Sequence, residues 1–204
     1  MTLVLVPADR VVRWVENFTD RHGETVLGVE DGALAGRGLD GSTFTARLPF
    51  GEAYDGPADP AGFAATMAAP DDWGVLLVRK GGFAVARLHQ ATTVDSKVGQ
   101  RHVQGRTKAG GQSQQRFARR RDNQARQAYE AAADHAARIL HALAGPLATG
   151  GDHTAVGEEL ADPRLSMLRP VGPWLAVPDP RRGVLVAAVR DACAAQVSVT
   201  NAGQ

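Results

Sequence analysis

Glycine, glutamine and arginine are concentrated in one short stretch of the chain, residues 105–121, which reads GRTKAGGQSQQRFARRR. Its centre is the tripeptide Gly110-Gly111-Gln112. Two consecutive glycines allow backbone angles that are closed to other residues and let the main chain approach a crowded reaction centre closely. The glutamine amide is neutral and cannot act as a general base, so it can only position water and form hydrogen bonds. A loop of these residues therefore cannot work like a catalytic triad and can only position a water, donate hydrogen bonds and exclude bulk solvent.

Positive charge surrounds this tripeptide. Between residues 101 and 126 the only acid is Asp122, against eight basic residues, although the formal net charge of the whole chain is +1. A run of charge is usually a solvated face, but the acids that would normally be interspersed are missing here. Arginine at the start of a helix also opposes the helix macrodipole, so the placement needs another reason, which RNA phosphates would supply. The predicted RNA-binding residues are Arg106, Lys108, Arg116, Arg119, Arg120 and Arg121.

The other motifs carry less weight. Gly36, Gly38 and Gly41 match G-x-G-x-x-G but lie between two strand candidates, whereas a dinucleotide site needs a helix after the glycines. The six histidines show no metal-ligand spacing, and Cys193 lies in an alanine-rich segment typical of a small core residue. We therefore expect hairpin glycines, no metal and no cofactor.

The elements that must position the glycine-rich stretch follow from hydrophobic periodicity and turn residues. The predicted strands are residues 25–30, 33–38, 42–48, 73–79, 83–89, 146–149 and 196–200, with a strand or loop near 174–177. The predicted helices are residues 7–22, 61–68, 153–161 with Asp152 as its cap, 180–192, and a long one from 113 to 144 that Gly145-Pro146 ends. The second half of the long helix has a core-facing stripe at Ala125, Tyr129, Ala132, Ala136, Ile139, Leu140 and Leu143.

These elements predict a mixed α/β fold, with strands in the middle and helices between and after them. We expect one domain over residues 1–204: an N-terminal helix and strands in 1–50, a linker in 51–72, the strands, glycine-rich loop and long helix in 73–144, and an α/β segment in 145–204. Hydrophobic residues make up 44% and charged residues 22%, which is a globular composition. A single cysteine, with no signal peptide and no long apolar run, predicts a cytoplasmic protein without a membrane span.

The context of the tripeptide resembles the middle domain of the eukaryotic and archaeal class I release factors. Those proteins carry GGQ, then a serine, then an arginine-phenylalanine-alanine-arginine run. Here the same order is Gly110-Gly111-Gln112-Ser113 followed by Arg116-Phe117-Ala118-Arg119 and Arg121. The resemblance covers about residues 73–143. It implies a mixed β-sheet with flanking helices, RNase H-like, in which a long helix follows a flexible GGQ loop.

The segments outside this match narrow the resemblance. No codon-reading domain precedes the pattern and a βαβ-like segment follows the helix, which is similar to the release-factor-like peptidyl-tRNA hydrolases of ribosome quality control, including the actinobacterial Vms-like release factor family. That resemblance implies codon-independent release of nascent peptide from peptidyl-tRNA stranded on the large ribosomal subunit. The loop would enter the peptidyl-transferase centre, where ribosomal RNA completes the site and no cofactor is needed. We expect a monomer.

Two alternatives remain at this point. Eukaryotic members of the group place the glutamine one residue later, as GGxQ, and Gln114 and Gln115 follow Ser113 here. We favour Gln112 as the acting glutamine, with Gln114 as the alternative. The second alternative is a non-catalytic ribosome- or RNA-binding module in which the GGQ tripeptide is only a surface tip.

Overall fold

The computed structural model describes residues 2–80, 82–100 and 132–203. The chain divides into two compact units. The first unit is Met1–Ala69 with Val171–Pro173 and Val189–Gln204, and the second unit is Pro70–Pro170 with Trp174–Ala188. The expectation of a single domain over residues 1–204 stays a prediction.

The first unit contains a five-stranded sheet in the order β1-β10-β4-β3-β2, with every neighbouring pair antiparallel. Its strands are β1 (Thr2–Val6), β2 (Thr25–Glu30), β3 (Ala33–Gly38), β4 (Thr43–Arg47) and β10 (Ala195–Thr200). Its helices are α1 (Val11–His22) and α2 (Pro60–Ala65). Asp59 caps α2, because its carboxylate accepts a hydrogen bond from the Gly62 amide at 2.6 Å.

The core of the first unit is built on helical spacing. Val11, Val15 and Phe18 are buried on one face of α1, four and then three residues apart. Tyr54 and Phe63 are buried in the same core, so part of the segment expected to link two halves packs here. β1 was not predicted, because the four apolar residues after Thr2 show no alternation of apolar and polar positions. They form a strand by pairing with β10.

The second unit contains a five-stranded sheet in the order β7-β6-β5-β8-β9. β6 is antiparallel to both β5 and β7, while β5 and β8 are parallel. The strands are β5 (Trp73–Arg79), β6 (Gly82–His89), β7 (Thr92–Gln100), β8 (Pro146–Gly151) and β9 (Arg169–Leu175). The helices are α3 (described over residues 132–139), α4 (His153–Leu160) and α5 (Arg182–Ala192).

The predicted mixed α/β class with flanking helices is confirmed, but the strands form two sheets where the sequence suggested one. The last strand, β10, inserts between β1 and β4 rather than extending the sheet of β5 and β8. β9 begins at Arg169, earlier than the predicted strand near 174–177. Pro170 and Pro173 argue against a strand in the sequence, but proline is tolerated in an edge strand such as β9. The predicted GGQ loop and most of the long helix lie outside the described residues. Within the described ranges, each helix is too short or too polar to cross a membrane.

Candidate functional site

The residues predicted to act in chemistry and in RNA binding lie between two described elements, β7 before them and α3 after them. None of them is among the described residues, so their predicted roles stay predictions. They are Gly110, Gly111 and Gln112 for hydrolysis, and Arg106, Lys108, Arg116, Arg119, Arg120 and Arg121 for RNA.

The chain enters the glycine-rich stretch from one defined end of the second sheet. The last residue of β5, Arg79, pairs with Gly82 at the start of β6, and Gly82 pairs with Gln100 at the end of β7. The last residue of β8, Gly151, pairs with Val78 of β5. The strands β5, β7 and β8 therefore all end at this side, which we call the carboxyl edge. In open sheets with parallel strands, ligands commonly bind beyond the carboxyl ends of the strands. Residues 101–131 thus follow directly from an edge where a functional site is expected.

The helix that leads out of the stretch packs firmly on the second sheet. Ala132, Ala136 and Ile139 are buried at spacings of four and three residues, as the predicted core-facing stripe requires. The ring of His135 stacks on Phe83 of β6 with 5.6 Å between centroids. These contacts hold α3 to the sheet by one face along its whole described length.

An ion pair joins the strand that leads in to the helix that leads out. Arg138 Nη1 of α3 lies 2.7 Å from Asp95 Oδ2 of β7. The hydrogen bond from Arg138 lowers the pKa of the Asp95 carboxyl, against the opposing effect of partial burial. Both residues keep much of their side-chain surface exposed, so the pair defines geometry more than it contributes stability.

A stronger polar joint holds the end of the same helical segment. Arg87 donates from Nε and Nη2 to the two carboxylate oxygens of Asp72, at 2.8 and 3.0 Å, and from Nη1 to the His141 carbonyl at 2.8 Å. The Ala144 amide donates to Asp72 Oδ2 at 3.0 Å. The hydrogen bond from Arg87 lowers the pKa of Asp72. A Cβ at Gly145 would lie 1.7 Å from the Asp72 carbonyl oxygen, so only glycine fits where the chain turns into β8.

The weaker motifs of the sequence do not form sites among the described residues. Gly36 and Gly38 lie in β3 and Gly41 in the turn to β4, so the G-x-G-x-x-G match lacks the helix that a dinucleotide needs. No group of three or more potential metal ligands exists within the described ranges. Burial raises the pKa of the Cys193 thiol to about 11, which leaves it protonated and a weak nucleophile at neutral pH.

Sequence reasoning missed one buried acid. Glu159 of α4 is 2% exposed, and neither carboxylate oxygen has a hydrogen-bond partner among the described residues. Burial, reinforced by the nearby negative charges of Asp162 and Glu158, raises the pKa of Glu159 to about 8. Its position was visible in the sequence, since it shares a helical face with the buried Ala155 and Val156. The residue is therefore a neutral acid in the core at physiological pH.

Comparison with known proteins identifies the family of this chain. A search among curated proteins found no match. The family model for the Actinobacteria/chloroflexi VLRF1 release factor matches residues 71–198, more than half of the 204 residues. The matched range includes the second sheet, the stretch around Gly110-Gly111-Gln112 and most of β10, and it confirms the resemblance found in the sequence. The chain belongs to the Actinobacteria/chloroflexi VLRF1 release factor family, which indicates an interaction with the ribosome in translation termination or ribosome rescue.

Proposed function

We propose that this protein is a cytoplasmic peptidyl-tRNA hydrolase that acts, as a monomer, on the large ribosomal subunit. It releases the nascent peptide from peptidyl-tRNA that is stalled or stranded there, without reading a codon. The observation that carries the proposal is that a release-factor family covers residues 71–198 and that this range contains Gly110-Gly111-Gln112. The described structure supports it, because the tripeptide follows the carboxyl edge of the second sheet and precedes a helix anchored by Ala132 and Ala136.

The proposed reaction is hydrolysis of the ester between the peptide and the 3′-terminal adenosine of the tRNA. Water attacks the ester carbonyl carbon, the carbon–oxygen bond to the ribose breaks, and the products are a peptide carboxylate and a free ribose hydroxyl. Because the Gln112 side chain is neutral, its role is to orient the water by hydrogen bonds together with its backbone N–H. The terminal ribose hydroxyl of the tRNA assists, and ribosomal RNA supplies the rest of the site. No cofactor takes part in this scheme.

The basic residues around the tripeptide supply affinity rather than chemistry in this proposal. Arginine and lysine bind phosphate groups of ribosomal RNA or tRNA and steer the glycine-rich tip into the peptidyl-transferase centre. The residues concerned are Arg106, Lys108, Arg116, Arg119, Arg120 and Arg121. Binding and hydrolysis should therefore be separable by mutation.

The deciding experiment is single-turnover release of peptide from peptidyl-tRNA on purified large subunits that carry no messenger RNA. Gln112→Ala should lose about 100- to 1,000-fold in rate, the usual cost of removing one group that stabilises a transition state. Its affinity for large subunits should stay within about twofold of wild type, because the charges that provide affinity are untouched. Release by the wild type without messenger RNA tests codon independence in the same assay.

Gln114→Ala is the matched control for the choice of glutamine, since it removes the same side chain two residues further on. We expect it to keep most of the activity. A fast Gln112→Ala variant beside a slow Gln114→Ala variant would transfer the catalytic role to Gln114. A wild-type protein that binds large subunits and releases no peptide would establish the non-catalytic ribosome-binding alternative.

A further inference from the structure

An aromatic pair lies near the carboxyl edge of the second sheet. His153, the first residue of α4, stacks on Trp174 of β9 with 3.6 Å between ring centroids and 15° between planes. Trp174 is half-buried against the core of the second unit, whereas His153 is exposed. One face of the imidazole ring therefore rests on the indole, while His153 as a whole remains exposed.

Basic side chains lie around this pair. The Arg79 side chain crosses Gly151, because its Cγ is 3.0 Å from where a Cβ on that glycine would be. Arg79 Nη1 then donates to the Val177 carbonyl at 2.7 Å, which brings it beside the chain that follows Trp174. Lys80 follows it and is exposed. The Arg79 side chain therefore lies between the segments that contain His153 and Trp174.

Two acids beside these segments, Asp152 and Asp179, are already engaged. Asp152 caps α4 through the Thr154 and Ala155 amides, and Asp179 lies 3.7 Å from Arg79. The carboxyl edge thus combines positive charge with an exposed aromatic ring.

We propose that the carboxyl edge of the second sheet binds an unpaired RNA nucleotide. The base stacks on the exposed imidazole of His153, and Lys80, which follows Arg79, holds the adjacent phosphate. Aromatic rings that stack with unpaired bases beside basic side chains are how proteins bind single-stranded RNA, whereas a double helix hides its base faces. This site extends the proposed function by a second place of RNA binding, formed by described residues. Binding there does not depend on hydrolysis at Gln112.

The test measures binding of a fluorescently labelled, unstructured oligoribonucleotide to the full chain by anisotropy, beside inorganic polyphosphate of equal charge. We expect the basic residues within 101–126 to bind both polyanions, so the ratio of the two affinities isolates recognition of the bases. His153→Ala should weaken RNA binding roughly five- to a hundredfold and leave polyphosphate binding unchanged. His153→Phe keeps a stacking ring and should bind RNA within about twofold of wild type. Lys80→Glu should weaken both ligands.

His141→Ala is the matched control, because His141 is an exposed histidine at the opposite end of the second sheet, where its carbonyl meets Arg87. It should bind RNA as the wild type does. Unchanged RNA affinity in His153→Ala, or a loss that His153→Phe fails to restore, would overturn the proposal. So would equally tight binding of a duplex of equal charge. Absence of peptide release by the wild type would refute the proposed function and leave this binding result standing.

A second arm identifies the source of the nucleotide. Two oligomers of the same length and composition are compared, of which one ends in CCA-3′ like a tRNA and the other does not. A larger effect of His153→Ala on the first supports the proposal with the tRNA terminus as ligand. An equal effect on both supports it with an unpaired nucleotide of ribosomal RNA as ligand.

Discussion

The two five-stranded sheets of this chain are built for different tasks. The first is antiparallel throughout, and its core is dominated by rings: Phe44 contacts Trp14 and Phe18 with centroid distances of 5.1 and 4.9 Å. The second is mixed, and its core contains aliphatic side chains and the alanines of α3. Small alanines let the helix lie close to the strands, which suits a helix whose position matters. The first core is thus specialised for packing and the second for anchoring a helix.

The family match and the polar contacts follow the same division. The match begins at residue 71, where the second unit begins, and the first unit contributes to it only through its return segments. In the second unit, polar contacts join elements on either side of residues 101–131: Asp95 with Arg138, Asp72 with the Ala144 amide, and Arg87 with the His141 carbonyl. We therefore expect changes in the first unit to alter stability alone. Changes in the second unit or in residues 101–131 should alter RNA binding and chemistry.

The largest expected effect comes from reversing three charges in the glycine-rich stretch. Affinity of the wild type for large subunits should fall on the order of a thousandfold between 50 and 200 mM salt if about six phosphates are contacted. The combined variant Arg116→Glu, Arg119→Glu and Arg120→Glu should bind much more weakly and lower the slope of log affinity against log salt by roughly 2–3. Co-sedimentation with large subunits over a range of salt measures both quantities.

The first unit offers a control with the same change of charge. Arg10, Arg13 and Arg21 are exposed on or beside α1, and their combined replacement by glutamate also removes three cations. This variant should keep the wild-type salt slope. If both triple variants lose affinity equally, total charge governs binding and the proposed contact at residues 116–120 is refuted.

The next effect tests the first unit directly. Phe44 is 1% exposed, and its ring occupies the space above Gly36 in the neighbouring strand. Phe44→Ala should lower the free energy of unfolding by about 3–5 kcal/mol, since it leaves a cavity among the surrounding rings. Urea denaturation measures this loss. The single-turnover release rate per folded molecule should stay within about twofold of wild type, and a large drop in that rate would show that the first unit takes part in the chemistry.

Local features made most of the fold predictable from the sequence. The hairpin between β2 and β3 was marked by Asp31-Gly32, which have positive φ angles of 48° and 69° as a tight hairpin turn requires. The cap of α4 by Asp152 was equally local. The end of the long helix was predicted too late, because α3 ends at residue 139 and Ala142 has a positive φ of 53°. The GGQ tripeptide is local too, which is why the family could be recognised before the structure was considered.

Features that depend on distant parts of the chain were not predictable. β1 becomes a strand by pairing with β10, near the other end of the sequence. The joint at Asp72 brings together β6 and the chain that follows α3, and no spacing in the sequence indicates that contact. Glu159 was missed for a different reason, because a charged residue on the core face of a helix contradicts the pattern used to find the core.

Burial of Glu159 makes the stability of the second unit depend on pH. The described buried side chains of the first unit include no acid. Its folded pKa of about 8 lies above the ordinary glutamate value, so the unfolded chain loses the proton first as pH rises. The protonated Glu159 carboxyl leaves the free energy of unfolding at its full value below about pH 4.5. That free energy then falls progressively up to about pH 8. Glu159→Gln removes this titration and should be more stable than wild type by on the order of 3 kcal/mol at alkaline pH.

Urea denaturation at pH 5 and at pH 8.5 tests the role of Glu159. The two proteins should be similar at pH 5, because a protonated carboxyl and an amide bury similar polar groups. They should differ clearly at pH 8.5. A difference that is the same at both pH values would mean that Glu159 has the same pKa in the folded and unfolded chain. The control is Glu158→Gln, at an exposed neighbour, which should change stability little at either pH.

The smallest expected effect separates the two ion pairs of the second unit. Asp72 and Arg87 are 29% and 30% exposed, with two charged hydrogen bonds between them. Asp95 and Arg138 are 41% and 59% exposed, with one charged hydrogen bond between them. Asp72→Asn should therefore cost about 1–3 kcal/mol in unfolding free energy and Asp95→Asn about 0.2–1 kcal/mol. The pKa of both carboxyls is lowered, so each contribution is present above about pH 4 and lost as the pH falls further. Urea denaturation at pH 7 and pH 3 measures both costs, which should shrink together in acid. An equal cost for the two variants at pH 7 would mean that burial and the contact with the chain that follows α3 do not strengthen the joint at Asp72. The position of α3 would then depend on its buried alanines alone.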